Sequence, residues 1–473
     1  MRIRVINKFD FEKNTIQGVF EWAPNNIHPS ELVLSEVEKA ENYDIFSNRI
    51  SEVIEKYTPK KDKPARLEFD RKIKIFGKDI IEASAIQQME NCLVSPNDIG
   101  VMTADGHHGY GHPIGGAIAY ENYVSLSGVG FDIGCGNKAV RTNIKSYEFN
   151  IKKVMEQITR DIGFGVGRPN PNEVIDHEIF DMIAHADFAP QRKFLKLAQE
   201  QLGTVGSGNH FIDLFTDDED YVWIGVHFGS RGFGHKTTTG FLALHQGMEF
   251  TDRASEKKDA DGPVLFDVNT QMGQDYIAAV QLAGEYATAG RDVVVQKVLD
   301  ILGAKAKYSV HNHHNFVWHE EHFGKKFWVV RKGCTPAFPG QQGFIGANMH
   351  DVSVIVEGVD SQESREGLYS TVHGAGRVLS RTKAAGKGKW QKMGKNRKKV
   401  ITSPGIVNWK QVKQNMAKAN IVLMGAGADE APECYKNLED VLAYQGNTIK
   451  VLHRLYPIGV AMADNETYDP YKD

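Results

Sequence analysis

Apolar positions along this chain recur in two periods. From 272 to 302, Tyr276, Val280, Ala283, Tyr286 and Ala287 fall three or four apart, which predicts the longest helix. Similar spacing predicts helices at 147–161, 188–202 and 409–418, and at 30–57, where Ser30 is an N-cap and Leu32, Val33, Val37, Ile50, Val53 and Ile54 form the stripe. Alternating or continuous apolar runs predict strands at Lys72-Ile-Lys-Ile-Phe-Gly, Val222-Trp-Ile-Gly-Val, Phe327-Trp-Val-Val and Val352-Ser-Val-Ile-Val. The N-terminal Met1-Arg-Ile-Arg-Val-Ile-Asn-Lys alternates too, and reads as a strand rather than a signal peptide. Asp217-Asp-Glu-Asp predicts a solvated turn. Strands and helices interleave without a fixed repeat or a Gly/Ser/Pro linker. The expected class is α+β, with one large domain over 71–473 and a strand and helical segment over 1–70 packed on it.

Composition narrows this reading. With 473 residues, 41% hydrophobic and 25% charged, the chain is neither disordered nor fibrous. No apolar run approaches the roughly 18 residues of a membrane span, so no membrane partner is expected and the cytoplasm is the expected location. Its four cysteines, at 92, 135, 334 and 434, show no paired spacing, which fits a reducing compartment. Net charge is −4, so a nucleic-acid partner requires a local basic patch. The 18 His and 46 Gly are concentrated in a few clusters.

Six clusters carry chemistry. Asp105-Gly-His-His-Gly-Tyr-Gly-His-Pro-Ile-Gly-Gly combines turn-forming glycines with groups that bind metal or move protons. It would equally suit a buried turn. Gly130-Phe-Asp-Ile-Gly-Cys-Gly sets Asp132 and Cys135 three apart in a glycine-rich turn, where thiolate and carboxylate can share a divalent cation. Gly203-Thr-Val-Gly-Ser-Gly-Asn-His-Phe-Ile-Asp offers backbone N–H groups to phosphate, with Asn209, His210 and Asp213 behind them. Val226-His-Phe-Gly-Ser-Arg delivers His227 from a strand into a turn beside Arg231, a candidate phosphate partner. Val310-His-Asn-His-His-Asn-Phe is too polar for a core strand and suits a metal or phosphate site, or a solvated loop. In Thr371-Val-His-Gly-Ala-Gly-Arg, glycines let phosphate approach His373, with Arg377 and Arg381 to balance charge.

Directly after this lies the basic patch. Residues 381–399 hold nine Lys or Arg and no acid, with Trp390 among them, which suits a polyanion track and an aromatic for base stacking as well as a solvated loop. Asp132, Cys135, His210, His227 and His314 exceed the four ligands of a closed zinc site, which points to two metals and metal-dependent phosphoryl chemistry on a nucleotide or nucleic acid.

Taken in order from about residue 80 to 460, these motifs resemble the RtcB family of RNA-splicing ligases, and Arg331-Lys-Gly and Asp429-Glu-Ala-Pro-Glu-Cys-Tyr-Lys extend the match. The resemblance implies a single large domain whose mixed sheets surround a dinuclear metal site. It implies a GTP- and Mn2+-dependent enzyme of tRNA splicing or RNA repair. Such an enzyme joins RNA 3′-phosphate or 2′,3′-cyclic phosphate ends to 5′-hydroxyl ends. Two Mn2+ ions would be held by Asp132, Cys135, His210, His227 and His314, with Cys135 bridging. His373 would be the nucleophile that takes GMP. Asn209, His210, Phe211, Ile212, Asp213, His314, Asn315, Gly346, Ala347, Asn348, Met349, Ser353, His373, Gly374, Ala375 and Gly376 would surround the nucleotide. The implied partners are RNA with broken ends and GTP, and a protein activator is compatible with the reading.

The chain departs from the family pattern near the guanylate. Met462 stands where a lysine is usual, Asp213 replaces a glutamate, Asn348 a serine and Asn137 a hydrophobic residue, while Lys472 is a candidate substitute for the lysine. Two other readings compete: a metal-dependent phosphoesterase that only opens cyclic phosphates, and a non-catalytic RNA-end binder.

Overall fold

The strands of longest unbroken apolar character lie deepest. Ile99–His107 and Tyr221–Phe228 are buried along nearly their whole length and occupy interior places in two different sheets. The computed structural model describes residues 71–170, 175–255, 262–393 and 396–464, the side chains of 389–400 excepted. The expected N-terminal strand, the helix at 30–57, the 1–70 segment and Lys472 lie outside the described residues.

The first sheet has five strands in the order Lys72–Ile75, Ile99–His107, Ile114–Tyr120, Lys325–Lys332, Asn315–His322. Its first pair is parallel and the rest antiparallel. The second runs Gln342–Ile345, Ser353–Gly358, Ile449–Asp464, Phe211–Thr216, Tyr221–Phe228, Gly136–Lys145, Ala306–His313, with Val422–Ala426 added parallel to Ile449–Asp464. The described architecture is thus mixed α/β, as the sequence implies.

Apolar side chains fill the space between the sheets. Val101, Ala117, Ala119 and Val329 of the first sheet meet Ile345, Val354 and Val356 of the second. A separate core lies under the helices: Val154, Met155 and Ile158 of Ile151–Asp161 and Val294, Val295 and Val298 of Gln271–Leu302 pack with Ile212, Leu214, Ile224 and Val226. The long helix is delimited as its sequence dictates. Thr270 Oγ1 accepts the Gly273 N–H at its start, and Gly303, with φ 64°, closes its end.

Most predicted elements appear near their expected bounds: Ile151–Asp161, Trp409–Lys418, Gln271–Leu302, Lys72–Ile75, Tyr221–Phe228, Lys325–Lys332 and Ser353–Gly358. The helix expected over 188–202 divides into a 3-10 segment, Ala189–Phe194, and a short α-helix, Leu195–Gln201. The turn at 217–220 is solvated over 218–220, as expected, but not at its first residue. Asp217 is buried, and its carboxylate accepts bonds from Trp223 Nε1 (2.9 Å), Arg141 Nε (2.7 Å) and the Glu219 and Tyr221 amides. Burial opposes its charge, but these donors outweigh that and hold its carboxyl below the usual range. An acidic run looks solvated in sequence because the partners of its first residue come from other strands. The basic run forms an antiparallel ribbon, Gly386–Met393 with Asn396–Pro404.

Sheet register places the chemistry. Phe211 stands opposite His227, His227 opposite Asn137, and Gly136 opposite both Phe228 and His313. Four neighbouring strands therefore begin or end on one row, with Cys135, His210, His227 and His314 at or just beyond it. Neighbouring strands are about 4.8 Å apart, so residues up to 179 positions distant converge within a few ångströms. Gly136 makes this close pairing possible, because a Cβ there would lie 2.2 Å from the Asn312 carbonyl oxygen.

A metal-competent centre beneath a nucleotide-sized cavity

The donor atoms of Cys135, His227 and His314 lie within 4.8 Å of one another, and so do those of Asp132, Cys135 and His210. The sulfur belongs to both groups. Its distances to His210 Nε2 and His227 Nε2 are 3.8 and 3.5 Å, and Asp132 Oδ2 is 3.0 Å from His210 Nε2. The backbone fixes the sulfur: the Cys135 N–H donates to the Asp132 carbonyl, and the His314 N–H donates to the Cys135 carbonyl.

Hydrogen bonds orient the imidazoles. His227 Nδ1–H donates to Asn137 Oδ1 at 2.7 Å, and Asn137 Nδ2 donates to the Phe344 carbonyl. That leaves His227 Nε2 without a proton, facing the sulfur. His210 Nδ1 lies 3.1 Å from the Val205 carbonyl, and its Nε2 faces both the sulfur and Asp132 Oδ2. His314 Nδ1 is buried without a hydrogen-bond partner. Burial first, and then the neighbouring imidazoles, keep His227 and His314 far below the ordinary histidine pKa, hence neutral and ligand-competent. Asp132 is ionised: His210 and Arg231 outweigh its burial. Burial and the Asp132 charge push the Cys135 thiol well up, so without a cation the sulfur keeps its proton. Thiolate, carboxylate and imidazole together suit divalent transition metals, which Asp132, Cys135, His210, His227 and His314 would hold.

The other histidines of the fifth cluster face elsewhere. Arg291, fully buried on the long helix, donates through Nε to His311 Nε2 (2.8 Å) and through Nη2 to His313 Nδ1 (2.9 Å). Its Nη1 donates to the carbonyls of Gly134 and Phe228. Burial pulls the guanidinium pKa down to about 10, and the Cys135 and Asp132 sites partly offset this. Nothing in the local sequence of a mid-helix arginine signals this role, which becomes visible only when two strands and the Gly134 turn meet it.

His373 stands across from the metal row, its ring centroid 4.8 Å from that of His314. Its Nδ1–H donates to Asp105 Oδ2 at 2.6 Å, and the same oxygen accepts the His373 amide at 3.0 Å. Thr103 Oγ1 donates to the other oxygen at 2.6 Å. Burial opposes the charge on Asp105, but His373 and these bonds outweigh it and hold the carboxyl below its usual range. The pairing fixes the tautomer: Nδ1 carries the proton and Nε2 keeps a free lone pair. Gly376, with φ 77°, closes this approach, since a Cβ there would stand 2.3 Å from the Asp105 carbonyl oxygen. The rest of the first cluster divides. His107 lines the cavity, burial pulling its pKa down to about 4, whereas His112 is fully buried.

The cavity in front of His373 has a volume of about 750 Å³, enough for a nucleoside triphosphate. Of the expected nucleotide residues, Asn209, Phe211, Asp213, Gly346, Ala347, Asn348, Met349, Ser353 and His373 to Gly376 line it. Ile212 does not; strand alternation turns it into the helix-covered core. His210 and His314 lie in the metal row. Asn315 sits beside them, its Oδ1 accepting the Gly333 N–H at 2.7 Å. Asn348 is engaged in its own turn, accepting the His350 and Asp351 amides and donating to Asp351 Oδ2.

Arg377 and Arg381 line the cavity with His373, near where a phosphate is expected. Both are ion-paired within the protein: Arg377 donates to the Asp429 carbonyl and Tyr435 Oη, and Arg381 to Asp429 Oδ2 and to Glu430. The Asp429-Glu-Ala-Pro-Glu-Cys-Tyr-Lys run supplies these partners as one wall of the cavity. Arg231 lies against the protein, with Nη1 3.2 Å from His210 Nδ1. At the deep end, Asp213 Oδ1 is buried without a hydrogen-bond partner, and Asp213 and Met462 both line the wall. Burial pushes the Asp213 carboxyl well above the usual range.

An oriented imidazole facing a thiolate-centred, metal-competent row across a nucleotide-sized cavity defines a metal-dependent phosphoryl-transfer enzyme. Comparison with known proteins gives its family. Residues 88–463 match the family model described as tRNA-splicing ligase RtcB. The chain is 31% identical to the RNA-splicing ligase RtcB of Escherichia coli (strain K12), over 81% of this chain and 95% of that protein. It is also 31% identical to the tRNA-splicing ligase RtcB of Archaeoglobus fulgidus, over 87% and 96%, and 27% identical to that of Thermococcus kodakarensis, over 83% and 96%. The chain belongs to the RtcB family of RNA-splicing ligases.

Proposed function

We propose that this enzyme joins an RNA 3′-phosphate or 2′,3′-cyclic phosphate end to a 5′-hydroxyl end, using GTP and His373 as a transient carrier of GMP. One observation carries the proposal: Asp105 fixes the proton on His373 Nδ1, while the ring faces both the metal-competent row and the cavity. Asp132, Cys135, His210, His227 and His314 would hold two Mn2+ ions, which when bound supply charge stabilisation for the triphosphate and for the attacking and leaving oxygens. His373 Nε2 attacks the α-phosphorus of GTP, forming a P–N bond and releasing pyrophosphate. A 3′-phosphate oxygen of the RNA then attacks that phosphorus, and the P–N bond breaks to return the lone pair to Nε2. Finally the 5′-hydroxyl loses its proton and attacks the activated 3′-phosphate, forming the phosphodiester and releasing GMP. Asp105 serves the first two steps by stabilising positive charge on the ring as it forms. A cyclic phosphate is first opened by water. Asn209, Phe211, Asp213, Gly346 to Met349 and Ser353 would surround the nucleotide.

The test is radiolabel transfer. Protein mixed with Mn2+ and α-phosphate-labelled GTP should carry label, and H373A should not. No adduct with GTP or any other nucleoside triphosphate, together with cyclic-phosphate opening that survives H373A, would replace ligation by the phosphoesterase reading.

A further inference from the structure

The cationic ribbon has no role in the chemistry above, yet it is attached to the wall of the cavity. From Arg381 to Lys418 the chain has twelve Lys or Arg and no Asp or Glu, in a protein of net charge −4. This segment forms three consecutive elements: the short helix Arg381–Ala385, the ribbon Gly386–Met393 with Asn396–Pro404, and the helix Trp409–Lys418. Both helices are rooted in the same apolar cluster. Ala384, Val412 and Met416 pack there with Met349 and Met462, which line the cavity. Val378 to Arg381 also line it, so the ribbon starts five residues beyond the cavity rim.

Five of the segment's exposed residues are lysines. Lys383, Lys387, Lys410, Lys413 and Lys418 are exposed, and none forms an ion pair with a described residue. Strand register sets Lys392 opposite Arg397 and Trp390 opposite Lys399.

We propose that the ribbon and the Trp409–Lys418 helix form a track for single-stranded RNA leading to the cavity, in which the cations pair phosphates and Trp390 stacks on a base. This deepens the ligase reading and rests on it for the direction of the strand, but binding to the track requires neither metal nor nucleotide. A strand ending in a 3′-phosphate at His373 would have its upstream nucleotides on the ribbon.

The test is fluorescence anisotropy with a labelled single-stranded RNA ending in a 3′-phosphate, in EDTA, over a salt series. The parent should bind with a steep salt dependence. In K389Q/K392Q/R397Q/K399Q, affinity should fall at least tenfold and the slope of log K against log salt should shrink by about 2–3, at roughly 0.7 per lost phosphate contact. K389R/K392R/K399R should retain the parent slope, which separates charge from folding. W390A should lose affinity without changing the slope, and duplex RNA should compete poorly. Unchanged affinity and slope in the quadruple variant would overturn the track, and equal competition by duplex RNA would overturn its single-strand character. His373 labelling by GTP is measured on the same proteins. A parent that does not label but binds RNA through the ribbon would overturn the ligase reading and leave the track standing.

Discussion

Asp105 is the residue on which the proposed nucleophile depends. It is fully buried, it holds His373 by both side chain and backbone, and Thr103 holds it in turn. D105N should preserve the fold but offer the ring an ambiguous partner, lowering the rate of His373 labelling by about 10²–10⁴-fold, measured in single-turnover reactions. Because the Asp105 pKa lies below its unfolded value, its contribution to stability is present above about pH 4 and lost as pH falls through the native pKa. The stability difference between parent and D105N should therefore hold from neutral pH to about pH 4 and shrink below it. Asp213 has the opposite sign. Its pKa is raised by burial, so folding holds a proton that the unfolded chain releases, and native stability declines as pH rises above about 4. D213N should melt at a higher temperature than the parent at pH 8, with the gain vanishing toward pH 4; an equal gain at both pH values would show that charge is not its cause. The candidate metal residues were legible because a glycine-flanked Cys135 and clustered His and Asp have few structural uses. The sequence named Asp105 only as one member of a cluster, since the pairing with His373 spans 268 positions and no local spacing encodes it.

Among elements, the long helix is both the most legible and the least completely read. Its apolar stripe and its caps are written in adjacent residues, and its observed bounds lie within a residue of the expected ones. Its function in the site comes from Arg291, whose partners are two histidine side chains and the carbonyls of Gly134 and Phe228 from other parts of the chain. That fork holds the turn carrying Cys135 and occupies the two histidines that local sequence cannot distinguish from His314. R291K keeps a charge but cannot bridge four acceptors, leaving buried groups unpaired. It should cost about 2–4 kcal/mol of stability by chemical denaturation, with weaker Mn2+ binding by calorimetry. Apolar spacing predicts one helix over 188–202, but Pro190 lies near its start and the segment forms two short pieces, changing from 3-10 to α geometry at Leu195.

At the scale of the molecule, the sequence conveyed the mixed architecture and the family, while the order of strands in each sheet was not legible, because strand order depends on long-range pairing. Among the described residues no helix is long and apolar enough to cross a membrane. The metal row couples the site to stability. With a buried thiol and neutral imidazoles arranged around the sulfur, a cation that binds only the folded protein should raise the melting temperature in a concentration-dependent way. At a hundredfold excess over its dissociation constant, the gain is about 2.7 kcal/mol. EDTA should reverse it, and C135A should abolish the response in differential scanning calorimetry; a full response in C135A would remove the sulfur from the centre.

The common row also has a consequence for synthesis. Its candidate ligands lie on or flank four laterally bonded strands, and the set of five is complete only at residue 314. A ribosome must release residue 314 before the last imidazole can reach its place, and His373 emerges 59 residues later. A nascent or truncated product ending between them would hold all five candidate ligands without His373, and without Ile449–Asp464, the strand that pairs with Phe211–Thr216 in the same sheet.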